Sequence, residues 1–187
     1  MQAISIRGLW AGLLAACAVC VVAIGFTGSA AADQRAGAGG ATIKMKLGER
    51  GPVFVGANAV DKGEQLKIVN RTSVEEVGPH TFTLVKRSLV DSKRDQRRCE
   101  RFESKVCQNM LAAHQVGPPP DFEVGKPKLE VGKRGWDKEF TRNKKGDSWY
   151  TDEAGDSHTR KVTAKAGERI GYFCLVHPFM QGTLKVR

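Results

Sequence analysis

The chain has 187 residues, of which 30 are Lys or Arg and 20 are Asp or Glu, so its formal net charge is +10. This length, less an N-terminal targeting segment, suits one domain rather than several. The basic balance does not indicate a nucleic-acid binder, because the sequence lacks the interleaved aromatic and basic residues on which such proteins stack bases.

The first 32 residues are predicted to be an export signal. Arg7 precedes an apolar run at residues 9–26, and the small residues 28–32 (Gly-Ser-Ala-Ala-Ala) follow it. This order is typical of a signal peptide, so we expect cleavage after Ala32 and an extracytoplasmic protein that is periplasmic, on the cell surface or secreted. Two alternatives remain. The run approaches the ~20 residues that span a bilayer and would then be an N-terminal anchor, and residues 14–17 (Leu-Ala-Ala-Cys) resemble a lipoprotein cleavage box.

Residues 33–40 are predicted to be a flexible leader, and residues 41–187 to form the folded domain. Short segments with strand-like apolar patterns, several of them bounded by Gly-marked turns, predict antiparallel strands. They lie at residues 42–47, 65–70, 81–85, 160–164, 170–174 and 183–186. The predicted fold class is therefore all-β, a Greek-key β-sandwich.

Residues 88–146, called the insertion below, break this pattern. Residues 92–116 are rich in helix formers, with apolar residues at steps of three and four, and Pro118 then ends any helix. In the remainder, which is charged and punctuated by Gly, Trp136 and Phe140 are among the few large apolar residues. This apolar content is too small for an independent core, so we interpret the segment as a partly helical insertion in the sandwich rather than a second domain.

Three cysteines lie beyond the predicted signal, at positions 99, 107 and 174. Disulfides persist outside the cytoplasm, so a bond between Cys99 and Cys107 is expected and leaves Cys174 free for another role. On one continuous helix those two residues would lie roughly 12 Å apart, whereas a disulfide requires a Cα separation below about 7 Å. The bond therefore requires a helix break, with Ser104 as a new N-cap. The alternative is one helix with two unpaired thiols.

The most informative motif is the loop that contains Cys174, His177 and Met180, which offers a thiolate, an imidazole and a thioether. Pro178 restricts its backbone. A second imidazole is available at His80, provided that the strand after it lies beside the strand that ends at Cys174, as a Greek-key sandwich permits. Two imidazoles, one thiolate and a weak axial thioether make a blue-copper electron-transfer site.

The other two histidines of the chain, His114 and His158, stand in charged or polar contexts without a partner at ligand spacing. We expect both to be ordinary exposed side chains.

The chain resembles the cupredoxins, the small type I blue-copper proteins, and most closely their amicyanin- and plastocyanin-like members. Residues 174–180 match the family's Cys, two free positions, then His-Pro-Phe-Met, and Pro79-His80 resembles the start of its first ligand segment. The resemblance covers residues 41–87 and 147–187, and the insertion has no counterpart in compact members. One departure is Thr81, which stands where the family has an Asn that ties the two ligand segments together; its hydroxyl could make a related bond.

The resemblance implies that His80, Cys174 and His177 are equatorial ligands of one copper ion and that Met180 is the axial ligand. It also implies that Pro178 and Phe179 belong to an apolar patch through which electrons are exchanged.

The predicted function is therefore that of an exported, monomeric one-electron carrier, not an enzyme. Its expected partner is a redox protein with an acidic docking surface. We expect no binding to nucleic acid, and we expect contact with a membrane only through an N-terminal anchor. The alternative is copper sequestration or delivery. Delivery proteins are often rich in Met or His, and the presence of only four Met and four His counts against this alternative. Multicopper enzymes need further His clusters that the sequence lacks. Zinc would leave Met180 unexplained, and a metal-free interaction module is the last alternative.

Overall fold

A computed structural model describes residues 40–117, 126–133 and 135–187, which form a two-sheet β-sandwich with a small helical layer. The predicted all-β Greek-key class with a partly helical insertion is thereby confirmed. The predicted signal at residues 1–32 and most of the leader lie outside the described residues. Within the described part of the chain, no helix is both long and apolar enough to cross a membrane.

Eleven strands lie in the described residues. In chain order they are β1 (Ala41–Gly48), β2 (Gly51–Gly56), β3 (Ala59–Val60), β4 (Gln65–Asn70), β5 (His80–Val85), β6 (Glu130–Val131), β7 (Gly135–Trp136), β8 (Ser148–Thr151), β9 (Ser157–Val162), β10 (Arg169–Phe173) and β11 (Gln181–Val186).

Four helices accompany them in the same part of the chain. They are α1 (Val74–Val77), α2 (Arg87–Val90), α3 (Lys93–Glu100) and α4 (Lys105–His114).

The strands form two sheets. Sheet A has the order β2-β1-β4-β9-β7, and sheet B has the order β3-β11-β10-β5-β8-β6. The pairing of β5 with β10 is antiparallel and sets Tyr172 opposite Leu84 and Phe173 opposite Thr83. Because the two strands run in opposite directions, the start of β5 lies beside the end of β10, as the sequence predicted.

The main core fills the space between the sheets and follows the two-residue period of the strands. Phe82 and Leu84 of β5 and Tyr172 of β10 face inward and pack with residues of sheet A such as Ile43 and Ile68.

A second, smaller core lies on the outer face of sheet B, where the helices pack. Val85 and Phe173 contribute to it from the sheet, and Met110 and Leu111 contribute from α4. Every residue of β5 is consequently buried, since helices cover one face of the sheet and the sandwich core covers the other. The helical segment is stabilised by this contact with the sandwich, as expected for a segment without a core of its own.

The predicted disulfide between Cys99 and Cys107 is confirmed, with a Cα–Cα separation of 5.6 Å. The helix breaks between the two cysteines. The chain leaves α3 through Phe102, whose φ is 56°, and Ser104 is the N-cap of α4. The two thiols of a continuous helix would be too far apart, so this break is what permits the bond.

The insertion also supplies an edge strand to each sheet, which the sequence did not predict. β6 pairs with β8 in sheet B, and β7 pairs in parallel with β9 in sheet A. Trp136 of β7 is fully buried and belongs to the main core, where its ring contacts that of Phe82. The insertion is therefore built into the sandwich at both sheets.

Candidate metal centre

The fold brings together three of the four residues that the sequence singled out as ligands. The side-chain donor atoms of His80, Cys174 and His177 all lie within 4.8 Å of one another. His80 is the first residue of β5, Cys174 follows the last residue of β10, and His177 lies in the loop toward β11. The antiparallel pairing of β5 with β10 therefore brings residues 94 positions apart in sequence into one cluster.

The distances within this cluster fit a single metal ion. Cys174 Sγ lies 3.8 Å from His80 Nδ1 and 3.6 Å from His177 Nδ1. Bonds of about 2.3 Å to sulfur and 2.0 Å to nitrogen, at trigonal angles, place the two donor atoms about 3.7 Å apart. The three donors thus suit the His-His-Cys trigonal arrangement that type I copper occupies.

His80 is held by a buried polar chain that fixes its tautomer. Its Nε2 lies 2.8 Å from Thr72 Oγ1, and the Thr72 hydroxyl donates to Asn70 Oδ1 at 2.8 Å. Because the single hydroxyl hydrogen is used on Asn70, Thr72 must accept from His80 Nε2–H. Nδ1 is then left unprotonated and directed at Cys174, as a ligand nitrogen must be.

The electrostatics of both imidazoles favour the neutral form. Burial, with a smaller contribution from His177, lowers the pKa of His80 to about 4. Burial also lowers the pKa of His177, against a hydrogen bond to the backbone of Val77 that raises it. A neutral imidazole is the form that binds a metal.

Cys174 is completely buried, and burial raises the pKa of its thiol. Hydrogen bonds act in the opposite direction. The backbone N–H of Thr81 donates to Cys174 Sγ at 3.3 Å, and further bonds come from the backbone of Val176 and His177 and from the Thr81 side chain. A metal ion held by His80, Cys174 and His177 would supply the positive charge that a buried thiolate requires.

Met180 closes the loop and is buried. The backbone N–H of Cys174 donates to the carbonyl of Met180 at 2.9 Å, and the N–H of Met180 donates to the carbonyl of His177 at 2.8 Å. These bonds hold the thiolate, imidazole and thioether residues in one tight turn. Only 1% of Met180 is exposed, so its side chain lies within the sandwich core rather than in solvent.

Thr81 links the two ligand segments, as the sequence analysis suggested for this departure from the family pattern. The backbone N–H of Leu175 donates to Thr81 Oγ1 at 2.8 Å. With the bond from the Thr81 N–H to Cys174, Thr81 ties the start of β5 to the loop after β10.

The surface over the cluster is apolar. His177 is partly exposed, and two neighbours in sequence expose large apolar side chains: Phe179 by 50% and Val176 by 43%. The Phe179 ring lies 5.9 Å from the His177 ring, measured between centroids.

The expectation that His114 and His158 are exposed is wrong. His114 is fully buried, with Nδ1 2.6 Å from the carbonyl of Lys128 and Nε2 2.7 Å from Ser148 Oγ. It lies seven residues after Cys107 on the buried face of α4, and this spacing is the signal that could have revealed it. His158 is half-buried, stacks on Trp149 and accepts a hydrogen bond from Arg160. Neither belongs to the cluster.

No protein-family model matches the chain, and no curated protein matches it. Solved structures similar to it include auracyanin B (17% identity, 78% of this chain and 86% of that chain, TM-score 0.41). A novel purple cupredoxin from Nitrosopumilus maritimus is 12% identical over 79% of this chain and 99% of that chain, with a TM-score of 0.40. Auracyanin A, a "blue" copper protein from Chloroflexus aurantiacus, is 18% identical over 78% of this chain and 98% of that chain, with a TM-score of 0.38.

The chain combines a two-sheet β-sandwich with the cluster of His80, Cys174 and His177, and Met180 lies in the same loop, as the resemblance to the cupredoxins implied. That donor set is the one that suits one type I copper ion.

Proposed function

We propose that the protein is an exported one-electron carrier in which His80, Cys174 and His177 bind copper equatorially and Met180 is the axial ligand. The observation that carries this proposal is the trigonal set of three donors within 4.8 Å, already arranged in the protein. When bound, copper supplies a one-electron redox couple.

The surroundings of the cluster suit electron transfer better than copper delivery. A carrier needs a site that changes little between two oxidation states. Here Thr72 holds His80 and Thr81 holds the loop after Cys174, so both ligand segments are fixed by hydrogen bonds. A delivery site needs ligands that exchange readily, whereas Cys174 and His80 are both completely buried.

The exposed edge of His177, with Val176 and Phe179 beside it, is the proposed route for electrons. An apolar contact of this kind brings a partner close to the imidazole without desolvating charges. The basic insertion suits a partner with an acidic surface. An open groove of about 470 Å³ is lined by four cationic side chains of the insertion and by one that precedes it. They are Arg94, Arg98, Lys105 and Arg142 of the insertion, and Lys86.

Export is proposed from the signal-like N-terminus and is supported by the disulfide between Cys99 and Cys107. Disulfides persist in oxidising compartments and are rare in the cytosol. Protease protection in intact cells, compared with the same cells after osmotic shock, would locate the protein.

A potentiometric titration of the copper-loaded protein tests the carrier function. We expect a reversible one-electron change of an intense blue band. We also expect Phe179→Glu to slow electron exchange with a soluble redox protein while leaving the band unchanged. The matched control is Leu47→Glu, because Leu47 is also a half-exposed apolar residue but no part of the cluster. Copper that binds without a reversible couple would overturn the proposal in favour of sequestration.

A further inference from the structure

A chain of buried hydroxyl groups runs from the proposed copper thiolate to His114 of the insertion. Thr81 contacts Cys174 through its backbone N–H, which donates to Sγ at 3.3 Å, and its side chain lies against the same sulfur. The Thr83 hydroxyl donates to Thr81 Oγ1 at 3.0 Å. Thr83 Oγ1 lies 2.6 Å from Ser148 Oγ, which lies 2.7 Å from His114 Nε2. All five residues are buried, so no bulk water competes for these contacts.

The strand period explains why these groups meet. Phe82 and Leu84 of β5 face the main core, so Thr81 and Thr83 face the opposite side, toward the helical layer. Ser148 of β8 lies directly opposite Thr83, and cross-strand neighbours on one face come within hydrogen-bond reach. Helix α4 covers this face and ends at His114.

Counting hydrogens shows that the chain has a direction. Each hydroxyl has one hydrogen. Since Thr83 uses its hydrogen on Thr81, Ser148 must donate to Thr83 and must accept from His114 Nε2–H. The other ring nitrogen, Nδ1, faces the carbonyl of Lys128 at 2.6 Å and needs a hydrogen as well. The observed set of contacts is complete only when His114 is protonated on both nitrogens.

A neutral His114 requires the chain to reverse. Nδ1–H keeps its bond to the carbonyl of Lys128, and Ser148 must then donate to Nε2. Thr83 turns its hydrogen to Ser148, so the Thr81 hydroxyl is drawn toward Thr83 and away from the sulfur of Cys174. Hydrogen bonds to a copper-bound thiolate tune its potential, and a donor stabilises the reduced, more electron-rich site.

The surroundings of His114 oppose its charge. Burial lowers its pKa, the hydrogen bond to the backbone of Lys128 raises it, and the Lys128 ammonium lowers it. The ring of Tyr150 on β8 lies 6.1 Å away between centroids. Glu130 on β6 is paired with Arg160 and His158. The pKa of His114 therefore lies below the ordinary value for histidine.

We infer that His114 is a positioning residue that sets the orientation of the Thr81 hydroxyl at the thiolate of Cys174. Ser148 and Thr83 transmit the orientation, and the reduction potential therefore responds to protonation of a side chain in the insertion. This inference rests on the proposed copper site and adds to it a pH-sensitive connection to a segment that compact cupredoxins lack.

Thr83→Val tests the connection, because valine has nearly the same shape but no hydroxyl. The change leaves Ser148 bonded to His114 and leaves Thr81 free to donate to Cys174. In the wild-type protein the potential should fall as pH rises through the titration of His114. In Thr83→Val this step should vanish and the potential should stay at its acidic value. His158→Gln is the control. His158 is half-buried, but it accepts a hydrogen bond from Arg160 and not from the chain of hydroxyl groups, so this variant should retain the pH-dependent step in the potential.

Nuclear magnetic resonance of the metal-free protein supplies a readout that does not depend on copper. The ring nitrogens of His114 should titrate in both the wild type and Thr83→Val. The amide and hydroxyl signals of Thr81 should follow that titration only in the wild type. Unchanged Thr81 signals while His114 titrates, or an identical potential step in Thr83→Val, would overturn the inference. Absence of a blue site in every variant, with Thr81 still following His114, would instead count against the proposed function alone.

Discussion

Thr72 fixes the imidazole of His80 although it is not itself a proposed ligand. Its hydroxyl accepts from His80 Nε2 and donates to Asn70, whose amide donates to the carbonyl of Glu153 at 3.0 Å. This polar chain anchors the ring to two loops. Outer partners of this kind are worth about 10- to 100-fold in metal affinity.

Thr72→Val should therefore weaken copper binding by about 10- to 100-fold, because His80 loses the acceptor that fixes its tautomer. Competition with a chelator of known affinity would measure the change. Thr159→Val, an exposed threonine on β9, is the matched control and should bind as the wild type does. Equal affinities in both variants would show that Thr72 plays no part in holding the ligand.

Met180 offers a test of the axial position. Met180→Leu nearly conserves volume and should cost less than about 1.5 kcal/mol of stability, yet it removes the thioether donor. We expect copper and the blue band to be retained and the potential to rise, while Met180→Gln should lower it by adding an oxygen donor to the oxidised site. Met110→Leu, in the helical layer, is the control. A potential that is unchanged in both Met180 variants would rule out the axial role.

The buried His80 predicts a pH-dependent stability for the metal-free protein. Its pKa is lowered to about 4 in the folded state, so the unfolded chain binds the proton more readily between pH 6.5 and 4. Stability should therefore be full above pH 6.5 and fall by about 3 kcal/mol as pH decreases through this window. Urea unfolding at several pH values would measure it. His80→Phe should make that part of the profile less steep, because His114, His158 and His177, whose pKa values are also lowered, still contribute. An equally steep profile in this variant would assign the loss to other groups.

At the scale of elements, the disulfide ends one helix and starts the next. Replacing both Cys99 and Cys107 by alanine should destabilise the protein by roughly 2–4 kcal/mol, since the bond constrains the unfolded chain and both side chains are buried. The copper spectrum should stay unchanged, because the bond lies in the helical layer and not at the cluster. Thermal unfolding and the visible spectrum of the double variant check both parts. A lost blue band with an intact fold would show that the helical layer shapes the site directly.

The strands that bear the cluster could be predicted from sequence because their apolar patterns are regular, and β4 was predicted with its exact bounds. Five strands were not predicted. β3, β6 and β7 have only two residues each, β8 is buried throughout and lacks alternation, and β2 begins with Gly and Pro, which are depleted in strands. The residues of the cluster were predicted from their chemistry and spacing. Thr72, Ser148 and His114 were missed because hydrogen bonds between distant segments leave no pattern in one sequence.

At the scale of the whole molecule, charge is concentrated in one segment. Residues 86–146 contain 16 Lys or Arg and 9 Asp or Glu. Helices α2, α3 and α4 of this segment pack on the outer face of sheet B, which also bears His80. Such a field raises the association rate with an oppositely charged partner and is screened by salt.

Electron transfer to an acidic redox protein should accordingly slow as ionic strength rises. Arg94→Glu combined with Arg97→Glu should lower the second-order rate at low salt by about tenfold and weaken its salt dependence. Stopped-flow kinetics would measure both. Lys67→Glu, an exposed charge on sheet A, is the control and should have a smaller effect. A rate that is independent of salt in the wild type would contradict an acidic partner.

X-ray absorption at the copper edge of the loaded protein tests the central claim most directly, because it identifies the atoms bound to the metal. A site built by His80, Cys174 and His177 should show two nitrogen neighbours and one short sulfur neighbour, with the sulfur lost in Cys174→Ser. Copper surrounded only by nitrogen and oxygen in the wild type would contradict the Cys174-centred site and with it the electron-carrier function.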